Sequence, residues 1–449
     1  MSIVEKIIRL SKNSLEMLAY NSKADKYRQD EKYKNMWLIS ERGVEAKDNG
    51  YVFFKYLREN HPEINAWYVI DSSHKKDYDR VKDLGNIIEF GSEDHKIAFL
   101  LCEYAISSHL GFLEPWSYKL YKLLLDRKNK KKFVLLQHGV ILSDLSMYYN
   151  ASTKIDLFIT TTKREYESIC GPNYGFAEGV VVRTGIARYD RLNDFKTKKQ
   201  ILLMPTWRQT IITPSYKNQD KLDMTSFLAS DYFKSLNSLI NNKKILDLLE
   251  KYDRELIFYP HFEMQPYKGA FDIGNKRVIM ADKDDYDVQT LLKESELLIT
   301  DFSSVAFDFA YMKKPLIYYQ KVKDDKYAPG YFSYEDDGFG KVIIDEEDLV
   351  KKLSEYFDNE FKMEDIYAQR VEEFEPVFDR VFVASPDGQI RPMRRAHARR
   401  SEETRGGMVP VRNRGLVAWR PAGNQGVRAL IEASPEGVRV IEGTVVVSR

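Results

Sequence analysis

Apolar residues in this chain gather in short runs of four or five positions, rich in Ile, Leu, Val, Phe and Tyr. One set occupies residues 36–40, 66–70, 86–90, 104–107, 133–137, 157–161 and 180–184. A second occupies 201–204, 256–259, 277–280, 297–300, 315–319 and 341–344. Most are apolar throughout instead of alternating, the mark of strands buried on both faces in a parallel sheet covered by helices. Between them apolar positions recur at helical spacing, as over 235–251, 288–295, 304–313 and 346–357. The alternation predicts an α/β protein. A polar stretch, 191–200, separates the two sets. The expected organisation is therefore an amphipathic helix over 1–20 and two doubly wound, Rossmann-like domains over 21–193 and 194–384, with a cleft between them.

Composition narrows the class. An apolar fraction of 43% and an aromatic fraction of 13% in 449 residues exclude a largely disordered chain. A net charge of +1 argues against nucleic acid as a partner. Cys102 and Cys170, far apart and without a CxxC neighbour, suggest neither a disulfide framework nor zinc. No apolar run reaches the roughly 18 residues that cross a bilayer, and the first residues are too charged for a signal peptide. A soluble protein of a reducing, cytoplasmic compartment is expected. Residues 385–449 stand apart, with 12 Arg and no Lys against 6 acidic residues, and neither Tyr nor Phe. That stretch reads either as an Arg-bearing flexible tail or as a foreign extension. Segments 415–420 and 438–447 within it have strand character, and no function is assigned to it.

Two basic features bear on membranes. The helix over 2–20 sets Ile3, Ile7, Ile8, Leu15 and Leu18 beside Lys6, Arg9 and Lys12. It fits either packing on its own domain or lying on an anionic lipid surface. The run over 126–132 (DRKNKKK) is either a solvated turn or a docking patch for lipid phosphates.

The chemistry concentrates just after strands. Gln137-His138-Gly139, Thr160-Thr161-Thr162, Pro205-Thr206-Trp207-Arg208, Pro260-His261-Phe262-Glu263 and Thr300-Asp301-Phe302-Ser303-Ser304 each follow an apolar run at once. In open α/β sheets ligands bind beyond the carboxyl ends of the strands, so the five clusters should rim one crevice. Ser303 or Ser304 is a good N-cap, and a helix start with two hydroxyls suits a phosphate. His138 and His261 can move a proton or, when charged, bind phosphate. Each also fits a structural hydrogen-bonding role. Gly139 allows close approach of a substrate to the backbone, and Arg208 offers a fork that matches phosphate oxygens. His109, in Ser107-Ser108-His109, is a further strand-end histidine. The acidic group Asp282, Asp284, Asp285 and Asp287 lacks the pattern of a calcium loop. No Walker loop or zinc spacing occurs, so neither metal nor cofactor is expected.

These residues carry a family resemblance. The segment LLITDFSSVAFDFAYMKKPLIYY over 297–319 is similar to a signature of the CDP-glycerol glycerophosphotransferases, the teichoic acid primases and polymerases. ILLMPTWR over 201–208, PHFE over 260–263, TGIARYDRL over 184–192 and LLQHGV over 135–140 support it, in the family's order. Many members have Trp-His-Gly-Thr where this chain has Gln137-His138-Gly139-Val140. The resemblance implies a GT-B-like fold and transfer of glycerol phosphate, or another polyol phosphate, from a CDP-activated donor to a hydroxyl, with CMP leaving. It further implies a lipid-linked polyol-phosphate or glycan acceptor of teichoic acid or capsule type, and peripheral attachment to the inner membrane face. His138 is expected as the base. Arg208, His261, Ser303 and Ser304 are expected on the diphosphate, with Thr300 and Asp301 shaping their loop and Thr206 beside it. A nucleotide-sugar glycosyltransferase and a non-catalytic nucleotide-binding subunit are the competing readings.

Overall fold

A computed structural model describes residues 3–127, 130–208, 210–212, 222–323 and 329–374, with five strands between residues 381 and 440. The chain divides into two compact units. One comprises Met1–His138, Ser146–Asp190 and Val377–Arg449, the other Gly139–Leu145 and Arg191–Pro376.

The first unit is built on β1 (Trp37–Ser40), β2 (Ala66–Ile70), β3 (Ile87–Glu89), β4 (Tyr104–Ser107), β5 (Lys132–Leu135), β6 (Leu157–Thr160) and β7 (Val181–Arg183). Their order is β3-β2-β1-β4-β5-β6-β7, with every pair parallel. The second unit holds β8 (Gln200–Leu203), β9 (Glu255–Phe258), β10 (Val278–Met280), β11 (Leu297–Thr300), β12 (Leu316–Tyr319) and β13 (Gly340–Ile343), again all parallel, in the order β10-β9-β8-β11-β12-β13. Counted within each unit, both sheets run 3-2-1-4-5-6, the Rossmann order, and the first adds a seventh strand. Each of the thirteen expected strands is present, shifted by one or two residues at most ends. The all-apolar runs are buried along their length, as in Leu297–Thr300 and Leu316–Tyr319. The serial β-helix-β connections bring the strand order to a reversal between β1 and β4 in one sheet and between β8 and β11 in the other.

Helices differ more from expectation. The first, α1 (Ile3–Ala24), runs four residues past the expected end. Met17 and Ala24 are buried, Lys96 bonds Glu16 at 2.6 Å, and Leu10, Leu15 and Leu18 remain exposed. The continuous helix expected over 235–251 is two, Asp231–Ile240 and Lys243–Lys251, because the Asn242 side chain caps the second by accepting from Lys244 and Ile245. The helix expected over 304–313 is the shorter Val305–Tyr311.

The basic run over 126–132 is in part structural. Lys131 is buried with Nζ on the Cys102 carbonyl at 2.6 Å, and Lys132 pairs with Asp156 at 3.3 Å. Those two ammonium groups are thus committed to the fold and withdrawn from any lipid-docking patch; part of the run lies outside the described residues. Beyond residue 380, Val381–Ala384 pairs antiparallel with Ile390–Met393, and Leu416–Trp419, Ala429–Ser434 and Gly437–Val440 form a second antiparallel group. Two of these strands fall in the segments read as strand-like, and residues 441–447 lie outside the described ones. No described helix is long and apolar enough to cross a membrane.

Candidate active site

In the second unit the loops after β8 and β11 flank the point where strand order reverses, and one ion pair ties them. Asp301 and Arg208 are both buried, with Oδ2 to Nη2 at 2.8 Å. Asp301 Oδ1 accepts from the Thr206 amide and hydroxyl, each at 2.8 Å, and from the Phe302 amide at 2.7 Å. Arg208 Nη1 donates to the Thr206 carbonyl and hydroxyl, and Nη2 also reaches the Val322 carbonyl at 2.9 Å. The guanidinium lies over Tyr232 and Phe302, 4.9 and 5.2 Å from their ring centres. Arg208 therefore serves as a brace here, with both terminal nitrogens on protein acceptors. Thr300 is buried and donates to the Met204 carbonyl at 2.7 Å.

The half-buried Ser303 and Ser304 follow directly. Ser303, not the N-cap Ser304, supplies the helix-start contact, its Oγ accepting from the Val305 amide at 3.3 Å. His261 stacks on Trp207 with ring centres 6.1 Å apart. Its Nδ1 accepts from the Glu263 amide at 3.2 Å, so the neutral ring carries its proton on Nε2. Leu203, Pro205, Arg208, Tyr232, Ser235, Thr300, Asp301, Tyr319 and Lys321 help line a shallow pocket in this unit.

In the first unit His138 is exposed one residue after Gln137, which is buried and held in the left-handed region at φ +62°. A non-glycine residue there is uncommon, and such strain gathers at functional sites. The His138 ring stacks on His109, centres 4.6 Å apart and planes 17° from parallel. His109 is buried, and Ser108 Oγ lies 3.0 Å from its Nδ1. Burial, then the neighbouring His138, then Arg42 and Arg188 hold its pKa well below the ordinary imidazole value. The pair thus joins a neutral, buried ring to an exposed one.

The structure gathers Thr206, Arg208, Thr300, Asp301, Ser303 and Ser304 around one strand-order reversal, with His261 against Trp207. His109 and His138 come together in the other unit, and Gly139 opens the short stretch that groups with the second. The polar cluster at Thr160-Thr161-Thr162 is buried, and Thr162 caps the helix Lys163–Ile169 by accepting from Glu165. Sequence reading missed Asn49 and Arg188, which bond the backbone on either side of His138. Asn49 carries no local signal; Arg188 sits inside the TGIARYDRL stretch and was legible only as part of that motif.

Two Rossmann-like domains with polar clusters at the carboxyl ends of their strands place this chain in the GT-B-like class. Over residues 23–380 it matches the CDP-Glycerol:Poly(glycerophosphate) glycerophosphotransferase family, and it belongs to that family of enzymes. It is 35% identical over 343 residues to the minor teichoic acid biosynthesis protein GgaB of Bacillus subtilis (strain 168), covering 76% of this chain and 38% of that protein. It is 24% identical over 375 residues to the teichoic acid poly(glycerol phosphate) polymerase of the same organism, covering 74% and 45%. The chain thus spans less than half the length of these two relatives. The wall teichoic acid polymerase TagF shares the fold, with TM-score 0.54 and 18% identity over 83% of this chain and 92% of that one. A TagF variant soaked with CDPG matches with TM-score 0.53, at 18% identity over 83% of this chain and 91% of that one.

Proposed function

We propose that this protein transfers glycerol phosphate, or another polyol phosphate, from a CDP-activated donor to a hydroxyl of a lipid-linked acceptor of teichoic acid or capsule type. The observation that carries the reading is His138, an exposed imidazole set on a strained strand-end turn. His138 takes the proton of the acceptor hydroxyl. That oxygen forms a bond to the polyol-bearing phosphorus of the donor, and the bond from this phosphorus to the bridging oxygen of CMP breaks. In the second unit His261, Ser303 and Ser304 bind the diphosphate, while Arg208, Thr206, Thr300 and Asp301 hold the loop that presents them. Transfer of this kind needs mainly positioning and charge stabilisation, which the set can supply. Family membership supports the donor class, as does the CDPG soak of the TagF variant.

A peripheral position on the cytoplasmic face of an anionic membrane belongs to the same reading, supported by Leu10, Leu15 and Leu18 on α1, which are 46%, 70% and 46% exposed. The test incubates the protein with labelled CDP-glycerol, CDP-ribitol or UDP-sugars and a membrane acceptor, following nucleotide release and product length. CMP release from a CDP-polyol that depends on acceptor is expected; UDP release from a sugar donor overturns the reading. Deleting residues 2–20 should abolish sedimentation with anionic vesicles while leaving donor binding in place.

A further inference from the structure

The turn that presents His138 does not hold itself. A left-handed φ is unfavourable at a residue other than glycine, so contacts from elsewhere must maintain Gln137 at +62°. Its side-chain amide nitrogen donates to the Ile159 carbonyl and to Glu165 Oε1, both at 3.0 Å. Its carbonyl accepts from Asn49 Nδ2 at 2.8 Å, across 88 residues of sequence. The following carbonyl, that of His138, accepts from Arg188 Nη1.

Asn49 joins these two holds. Its Oδ1 accepts from the Arg188 amide at 2.8 Å, 139 residues away, and Arg188 Nη1 also pairs with Asp48 at 2.7 Å. One buried amide therefore fixes the loop after β5 and the turn Ala187–Arg191 after β7 against each other. Asn49 is itself buried in a clamped turn. It opens α2 (Asn49–Asn60), whose first turn is clamped by Glu41 accepting from the Lys47, Asp48 and Tyr51 amides at 2.8–3.0 Å. Burial and then the Asp48 charge push the Glu41 carboxyl up to about 8, while the Lys47 and Tyr51 amide contacts pull it down. Beside it, a Cβ on Gly50 would stand 2.9 Å from Glu41 Cγ and 3.0 Å from the Ser40 carbonyl, so the packing leaves no slack. Asparagine is a poor helix former, and nothing about helix stability calls for it at this buried site. One end of its amide is spent on the Gln137 carbonyl beside His138 and the other on the Arg188 amide.

We propose that Asn49 is a positioning residue for His138, locking the strained Gln137 turn so that the imidazole meets the acceptor hydroxyl in register; this rests on His138 being the base. Asn49 is fully buried and so acts through the loop and not on a ligand. Misplacing a reacting group by about 1 Å costs on the order of 100-fold in rate.

The test uses Asn49→Asp, which keeps size and the acceptor facing Arg188 but replaces the donor toward Gln137 with an oxygen, alongside Asn49→Ala. Acceptor-dependent CMP release from labelled CDP-glycerol, donor affinity and the unfolding midpoint are measured in the full chain, with His138 intact and in His138→Ala. Turnover should fall roughly 10- to 100-fold with donor affinity held within about twofold. The residual rate of His138→Ala should not fall further on adding Asn49→Asp, since Asn49 acts only through His138. Unchanged turnover, weakened donor binding, an equal loss in both backgrounds, or failure of both variants to fold overturns the proposal. His138→Ala alone, if it keeps near-normal turnover, sinks the base assignment instead, and the two failures are distinguishable.

Discussion

Arg208 Nη2 and Asp301 Oδ2 lie 2.8 Å apart, each side chain 4% exposed, and this pair bridges the loops on either side of the strand-order reversal in the second unit. Removing one partner of a buried pair strands the other charge. Asp301→Ala should lose about 3–5 kcal/mol of stability, read from the denaturant midpoint. Arg208→Met with Asp301→Leu should recover part of that loss. A neutral effect of Asp301→Ala would show that the pair does not hold the loops.

His138→Ala should lower acceptor-dependent CMP release by on the order of 10²–10⁴, the usual loss with a general base, while CDP-glycerol affinity survives. Joint replacement of Ser303 and Ser304 by Ala should do the reverse, weakening donor binding first. Equilibrium dialysis alongside single-turnover kinetics separates the two.

His95 gives the fold a pH dependence of predictable sign. Its Nδ1 accepts from the Gly91 amide at 3.0 Å and its Nε2 lies 2.8 Å from the Leu113 carbonyl, a pattern that only the neutral ring protonated on Nε2 satisfies. Burial, outweighing that carbonyl, holds its pKa down to about 4, below the free value of 6.5. Between those values the unfolded chain takes up a proton that the folded ring refuses. Its contribution is whole above about pH 6.5 and falls away toward pH 4, by up to about 1.4 kcal/mol per pH unit. His95→Leu should remove this slope while lowering stability at neutral pH, as urea titrations at several pH values would reveal.

Gly340→Ala should destabilise the second unit by about 1–3 kcal/mol, the range for overpacking. Gly340 pairs with Leu316 in the β12–β13 register, and a Cβ there would stand 1.9 Å from the Leu316 carbonyl oxygen. An unchanged melting temperature would contradict that packing.

Strand positions were legible because burial on both faces demands continuous apolar runs, as in Leu297–Ile299. The helix break at Asn241-Asn242 was not, since apolar spacing continues across it and only the Asn242 cap ends the pattern. Ser303 and Ser304 were legible as a polar pair after a strand, yet which serine supports the helix start depended on local backbone geometry.

Sequence by itself determined the α/β alternation, the division into two strand sets, the family and the identity of most polar groups at strand ends, because these follow from periodicity and short motifs. Tertiary structure alone decided that Arg208 is tied to Asp301, that His109 lies flat on His138, and that Asn49 grips the turn beside it. Such pairings join residues dozens of positions apart, and only the parallel strand order brings them within the few ångströms over which hydrogen bonds and ring contacts act.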